Sequence, residues 1–169
     1  MARLVLTVVG DDRAGLVQSL ADAVSEHGGN WETSELAELS GAFAGIVLVS
    51  VPDARLGELR DALQGLDGLL RVTVHTGTDA APHADRQLTF SVLGNDRPGI
   101  VRDVTGILSR HGLTIDHFSS ETREAPMAGG VLFEADVVAR VPEGAHVAAA
   151  VADLERLAGE IQVDLSVAE

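Results

Sequence analysis

The chain of 169 residues has no cysteine, no lysine and no tyrosine, and its aromatic side chains are four Phe and one Trp. Without cysteine there is no disulfide framework, no thiolate zinc site and no cysteine nucleophile. The lack of lysine leaves arginine as the sole basic residue, which reads as a composition bias more than a design for phosphate contact. Scarce aromatics exclude a base-stacking surface, and Trp31 is expected in the core or an interface. No apolar run approaches the roughly 18 to 20 residues that span a bilayer, and residues 1–9 are too short and too strand-like for a signal peptide. A cytoplasmic location is therefore expected.

Positive charge is also in short supply. The net charge is −14, and it is spread evenly, with five Arg against eleven acidic residues up to Gly77 and seven against fifteen after it. A phosphate backbone attracts clustered Lys and Arg and repels an acidic surface, so direct nucleic-acid binding is disfavoured. Apolar residues nevertheless make up 46% of the chain, enough for a real core.

What the sequence does contain is a repeat. A shift of 84 positions lays residues 4–28 over residues 88–112, and ten of the twenty-five positions are identical. Leu4, Val8, Gly10, Asp12, Arg13, Gly15, Val17, Ser25, His27 and Gly28 recur as Leu88, Val92, Gly94, Asp96, Arg97, Gly99, Val101, Ser109, His111 and Gly112. Leu88, Phe90 and Val92 alternate with Thr89 and Ser91, the period of a strand with one covered face. Leu16, Val17, Leu20, Ala23 and Val24 follow the spacing of an amphipathic helix, as do Ile100, Val101, Val104, Ile107 and Leu108. Gly28 and Gly112 suit the left-handed residue that ends a helix.

The rest of each copy reads as hairpin, helix and strand. In the first copy the pattern predicts strands at 31–39 and 44–51 around a turn at Ser40 and Gly41, a helix over 53–66 entered at Pro52, and a strand at 69–76. In the second it predicts strands at 113–123 and 130–141 joined by a loop containing Pro126 and Gly129, and a helix over 143–157. An alternating last strand, Ile161, Val163, Leu165 and Val167, completes it. The order βαββαβ is the ferredoxin-like arrangement, an α+β fold with a four-stranded antiparallel sheet and both helices on one face. The expected modules are residues 1–77 and 87–169, with a linker at 78–86 holding Ala80, Ala81 and Pro82. Residues 44–51 are apolar on both alternating faces, Ile46 and Leu48 on one and Val47, Val49 and Val51 on the other. That pattern predicts self-association or tight packing through the first sheet, whereas Glu134, Asp136 and Arg140 mark a solvated face in the second.

The turn between first strand and first helix is the most informative segment: Gly10-Asp11-Asp12-Arg13-Ala14-Gly15 and Gly94-Asn95-Asp96-Arg97-Pro98-Gly99. A helix N-terminus offers unpaired N–H groups and partial positive charge to an anion. Acidic side chains beside those donors repel a phosphate but accept hydrogen bonds from an ammonium group, so a zwitterion fits better than a nucleotide. The Lys-Ser/Thr pair of a P-loop is replaced by Leu16-Val17 and Ile100-Val101. Simpler roles compete: Asp12 and Asp96 as helix caps, Arg13 and Arg97 as surface or carboxylate-pairing residues, Gly15 and Gly99 as packing glycines. His27 and His111 suit the negative end of a helix dipole. No His spacing suits a metal, and no Ser lies in a Gly-x-Ser-x-Gly elbow. Neither catalysis, nor a metal, nor a cofactor is expected.

The strand, the Gly-Asn-Asp-Arg-Pro-Gly-Ile-Val turn, the helix ending in His-Gly and the strand after it resemble the ACT domain, a βαββαβ regulatory module that binds amino acids. The tandem pair is similar to the glycine cleavage system transcriptional repressor group. The resemblance implies ligand sites at Asp12, Gly15, Leu16 and Asn30 in the first copy and at Asp96, Gly99, Ile100 and Thr114 in the second, where the turn meets the following strand or a partner domain. Asp12 and Asp96 stand where amino-acid-sensing members often carry Asn, and Thr114 replaces the Asn found at Asn30. The implied effector is a small amino acid, glycine or serine. The implied partner is a transcription regulator or an enzyme, and the apolar first sheet adds the expectation of a second copy of the chain. The rival readings are an interaction module with vestigial ligand sites and a small enzyme on a ferredoxin-like scaffold.

One prediction follows from charge alone. The purified chain should show no sequence-specific affinity for duplex DNA at near-physiological salt in a gel-shift or anisotropy titration. Specific binding by the pure protein would overturn the charge argument.

Overall fold

The computed structural model describes residues 1–77, 86–124, 130–161 and 163–168. The chain divides into two compact units, Met1–Ala81 and Pro82–Glu169. The first contains β1 (Ala2–Asp11), α1 (Leu16–Glu26), β2 (Asn30–Leu39), β3 (Ala42–Val51), a 3-10 turn (Asp53–Arg55) running into α2 (Leu56–Gln64), and β4 (Arg71–Thr76). The second repeats the order as β5 (Arg86–Asn95), α3 (Ile100–Arg110), β6 (Thr114–Glu124), β7 (Val131–Val141), α4 (Val147–Ile161) and β8 (Val163–Ala168). Each unit holds a four-stranded antiparallel sheet, ordered β2-β3-β1-β4 and β6-β7-β5-β8. The expected βαββαβ fold is therefore present twice. Most of the linker expected at 78–86, and the loop expected at Pro126 and Gly129, lie outside the described residues.

Alternation decides which face of each sheet meets its helices. Leu4, Leu6 and Val8 on β1 and Val47, Val49 and Val51 on β3 are buried with Leu16, Leu20, Ala23 and Val24 of α1 and Leu59 and Leu63 of α2. In the second unit Leu88, Phe90 and Val92 meet Phe133, Ala135, Val137 and Ala139, under Ile100, Val104, Ile107 and Leu108 of α3 and Ala150 and Leu154 of α4. Each large aliphatic or aromatic side chain so buried contributes about 1.5 to 3 kcal/mol of hydrophobic stabilisation. Val17 and Val101, counted in the helical stripe by spacing, stay 43% and 40% exposed. They lie one position off the buried set, on the shoulder of each first turn. No helix among the described residues is long and apolar enough to cross a membrane.

Several boundaries differ from the pattern for local reasons. The helix expected at 143–157 starts at Val147, because the chain first turns through Gly144 at φ +86°, with Ala145 N–H donating to the Pro142 carbonyl. It then runs on to Ile161, which the alternation had assigned to the last strand. The 53–66 helix begins as a 3-10 turn and stops at Gln64, and successive turns through Leu69 delay β4 to Arg71. At the β2–β3 hairpin Ser40 and Gly41 both take positive φ, 52° and 85°, the two-residue turn that matches strand twist. Gly28 and Gly112 adopt the left-handed conformation after their helices. His27 Nδ1–H donates to the Ala23 carbonyl at 2.7 Å, closing the last turn of α1. His111 Nε2–H instead donates across to Asp153 of α4 at 2.9 Å, so both histidines serve the fold.

Gly45 shows how tight the first sheet is. A Cβ there would overlap the Glu35 carbonyl oxygen and crowd Leu36, both on the neighbouring strand. Gly45→Ala should lower stability by about 1 to 3 kcal/mol, the usual cost of overpacking. The midpoint of urea unfolding, followed by Trp31 fluorescence, measures this; an unchanged midpoint would show that β2 and β3 separate easily.

Candidate functional site

Both β1–α1 type turns are built on one glycine. Gly15 and Gly99 are the N-caps of α1 and α3 at φ +93° and +89°, and neither helix has a side-chain cap. A non-glycine residue in this region costs roughly 1 to 2 kcal/mol, because Cβ crowds the following carbonyl. Close packing is not the reason for Gly15, since nothing lies within 4 Å of where its Cβ would be. Asp12 and Asp96 do not cap their helices either. Their backbone N–H groups prolong the β1–β3 and β5–β7 ladders instead, donating to the Gly41 and Val131 carbonyls at 2.8 Å. Leu16 and Ile100 put their side chains into the cores, at 2% and 3% exposure, so only their backbone can face a ligand.

Beyond this shared frame the two turns differ. In the second unit Arg97 Nη2 donates to Asp103 at 2.7 Å, and Arg102 donates to the other oxygen of the same carboxylate from Nε and Nη2 at 3.1 and 3.0 Å. The Arg102 guanidinium lies 3.1 Å from where a Gly99 Cβ would sit, covering the mouth of the α3 N-terminus. In the first unit Gln18 and Ser19 hold the positions of Arg102 and Asp103, and the Gln18 amide turns away to Asp22 at 2.7 Å. Arg13 reaches across instead to the Gly68 carbonyl at 2.7 Å, pinning the turn to the α2–β4 loop. A recess of about 410 Å³ opens beside it, lined among others by Asp11, Arg13, Asp67, Gly68 and Arg71. Sequence reading missed this mixture of carboxylates and guanidinium groups because Asp67 and Arg71 lie more than fifty residues from the turn.

The expected partners on the following strands are not brought to these turns within a unit. Asn30 pairs with Ser50, which pairs with Arg3 at the start of β1, whereas the turn leaves from Asp11 at the far end. Eight residues of strand separate the two rows, roughly 26 Å at about 3.3 Å per residue. Thr114, paired with Arg140 and through it with Gln87, is likewise eight residues along β5 from Asn95. An amino acid cannot touch Asp12 and Asn30 of the same module, so any shared site needs two modules. Among the described residues no group of His, Asp and Glu is arranged to hold a metal ion.

The Arg97–Asp103–Arg102 cluster has a consequence in acid. The Arg97 hydrogen bond, then that of Arg102, holds the Asp103 carboxyl below the ordinary aspartate value. A lowered folded-state pKa contributes stability that is full above the unfolded aspartate value of about 3.9 and is lost as pH falls through the folded value. Asp103→Asn should therefore lower the urea midpoint at neutral pH and flatten its decline in acid. Parallel acid limbs for parent and variant would show that the pair adds nothing.

Comparison with known proteins agrees with this architecture. The sequence profile of the ACT domain matches residues 2–77, and a second ACT domain profile matches residues 88–159. The glycine cleavage system transcriptional repressor of Escherichia coli (strain K12) is 29% identical over 148 residues, covering 86% of this chain and 78% of that protein. The UPF0237 protein MK1213 of Methanopyrus kandleri is 39% identical over 66 residues, covering 38% of this chain and 73% of that protein. The crystal structure of an unknown protein from Galdieria sulphuraria superposes with a TM-score of 0.86 at 32% identity, covering 98% of this chain and 96% of that one. With the same glycine-capped turn opening each βαββαβ unit and a family profile over each, the chain belongs to the ACT domain family as a tandem of two domains.

Proposed function

We propose that this tandem ACT protein, built as modules 1–77 and 87–169 about the 78–86 linker, is a regulator that senses a small amino acid, glycine or serine. The observation that carries the reading is the Gly15 turn: a helix N-terminus with no side-chain cap and open space over its glycine, in a turn whose sequence carries Asp11 and Asp12. The ligand carboxylate accepts hydrogen bonds from the first-turn amides of α1, and the ammonium group donates to Asp12. The turn at Gly99 is the weaker site, because Arg102 covers it. Asn30 and Thr114 enter only where a second module approaches. Binding acts by linkage, since the effector shifts the protein between arrangements by the difference in its affinity for them.

The kinship with a glycine cleavage system transcriptional repressor supports a role in controlling amino-acid metabolism. A net charge of −14 without a basic stripe argues that any effect on transcription runs through a protein partner. Nothing in the site supplies an activated nucleophile or a matched acid and base, which supports regulation over catalysis.

Calorimetric titration with each of the standard amino acids tests the proposal. Saturable heat with glycine or serine is expected. Asp12→Ala should weaken binding roughly ten- to a hundredfold, the value of a charge-assisted hydrogen bond of about 1.5 to 3 kcal/mol. Gly15→Val should abolish it, while Gly99→Val leaves the tighter site intact. No saturable heat with any amino acid, or affinity indifferent to both changes at the first turn in variants that melt as the parent does, would overturn the reading.

A further inference from the structure

The outer face of the first sheet, turned away from its helices, is apolar in the middle and charged with opposite signs at its two edges. Strand register places Val5 beside Leu48, Thr7 beside Ile46 and Val9 beside Ala44 on the central strands. Ile46 and Val9 are 50% and 46% exposed. On the edge strand β2 the same rows carry Thr33, Glu35 and Ala37, and on the opposite edge β4 they carry His75, Thr73 and Arg71. Glu35, His75 and Arg71 are exposed. The equivalent face of the second sheet is occupied by its own polar pairs: Ser91 with Asp136, Arg123 with Glu134 at 3.1 Å, and Arg140 with Asp116 at 3.3 Å. The first face has polar pairs as well, Arg3 with Glu32 at 2.8 Å and Thr7 with His75 at 3.5 Å, but its middle is filled by Val5, Leu48, Ile46, Val9 and Ala44, which suits a partner.

We infer that this face joins two copies of the chain, sheet on sheet, about a two-fold axis running parallel to the strands. Such an axis mirrors strand order and keeps height along the strands. It lays Leu48 over Val5 and Ile46 over Thr7 of the other copy, and sets Glu35 over β4 between His75 and Arg71. The complementary edges meet twice, as an isologous interface requires. An axis across the strands would lay β2 on β2 and bring Glu35 against Glu35, so charge selects the first arrangement. Four strands about 4.8 Å apart and roughly seven residues long at about 3.3 Å per residue make a face of roughly 450 Å². That is below the usual 800 Å² or so per partner, which fits a reversible dimer whose population depends on concentration.

Sedimentation equilibrium of the full chain over about 1 µM to 1 mM tests this. A monomer–dimer equilibrium is expected, with Ile46→Glu monomeric throughout and unchanged in circular dichroism. Glu35→Arg and Arg71→Glu should each weaken dimerisation at least about tenfold, since each sets like charges opposite one another. The double variant should recover most of that loss. Glu35 and Arg71 stand on opposite edges of one sheet, so recovery cannot arise within a module. A chain monomeric at every concentration, a dimer indifferent to Ile46→Glu, or a double variant no better than the singles would each overturn the inference.

Discussion

The strand-to-helix turn constrains everything around it. In each unit the chain leaves the end of a central strand and must start a helix across one face within about four residues. It does so through a glycine held near φ +90°. Because that residue is the N-cap, it replaces the Ser, Thr or Asp that would ordinarily accept a first-turn N–H. The geometry that lets the sheet and helix share a core thus also leaves the helix N-terminus without its own acceptor. The sheet-to-helix connection and the uncapped helix end have one local origin, and Gly-x-x-x-x-Gly recurs at both places in the chain.

The two copies keep this frame and diverge in what surrounds it. Substituting Arg102 and Asp103 for Gln18 and Ser19 covers one turn with an internal ion cluster and leaves the other open. The outer sheet faces diverge in the opposite sense, the second carrying its own polar pairs and the first exposing Val9 and Ile46. The open helix N-terminus and the exposed apolar sheet face therefore both belong to the first module. The second is stabilised by contacts that satisfy its charges internally, among them His111 with Asp153, whose carboxyl is held below the ordinary value mainly by that hydrogen bond.

Periodicity and the repeat determined the order of elements, the ferredoxin-like topology and the core faces of β1, α1, β5 and α3, because local alternation follows directly from backbone geometry. The glycine positions and the His-Gly helix ends were legible for the same reason. For residues 44–51 the sequence showed two apolar faces but could not rank them. Burial against α1 and α2 decided that Val47, Val49 and Val51 form core and that Ile46 faces out. The start of α4 escaped detection because Gly144 changes the chain's direction inside an otherwise helical pattern. Tertiary structure alone placed Asp67 and Arg71 beside the first turn, set Arg102 over Gly99, and put Asn30 some eight strand residues from Asp12. Those facts depend on where distant segments return in space, and local spacing carries no record of that.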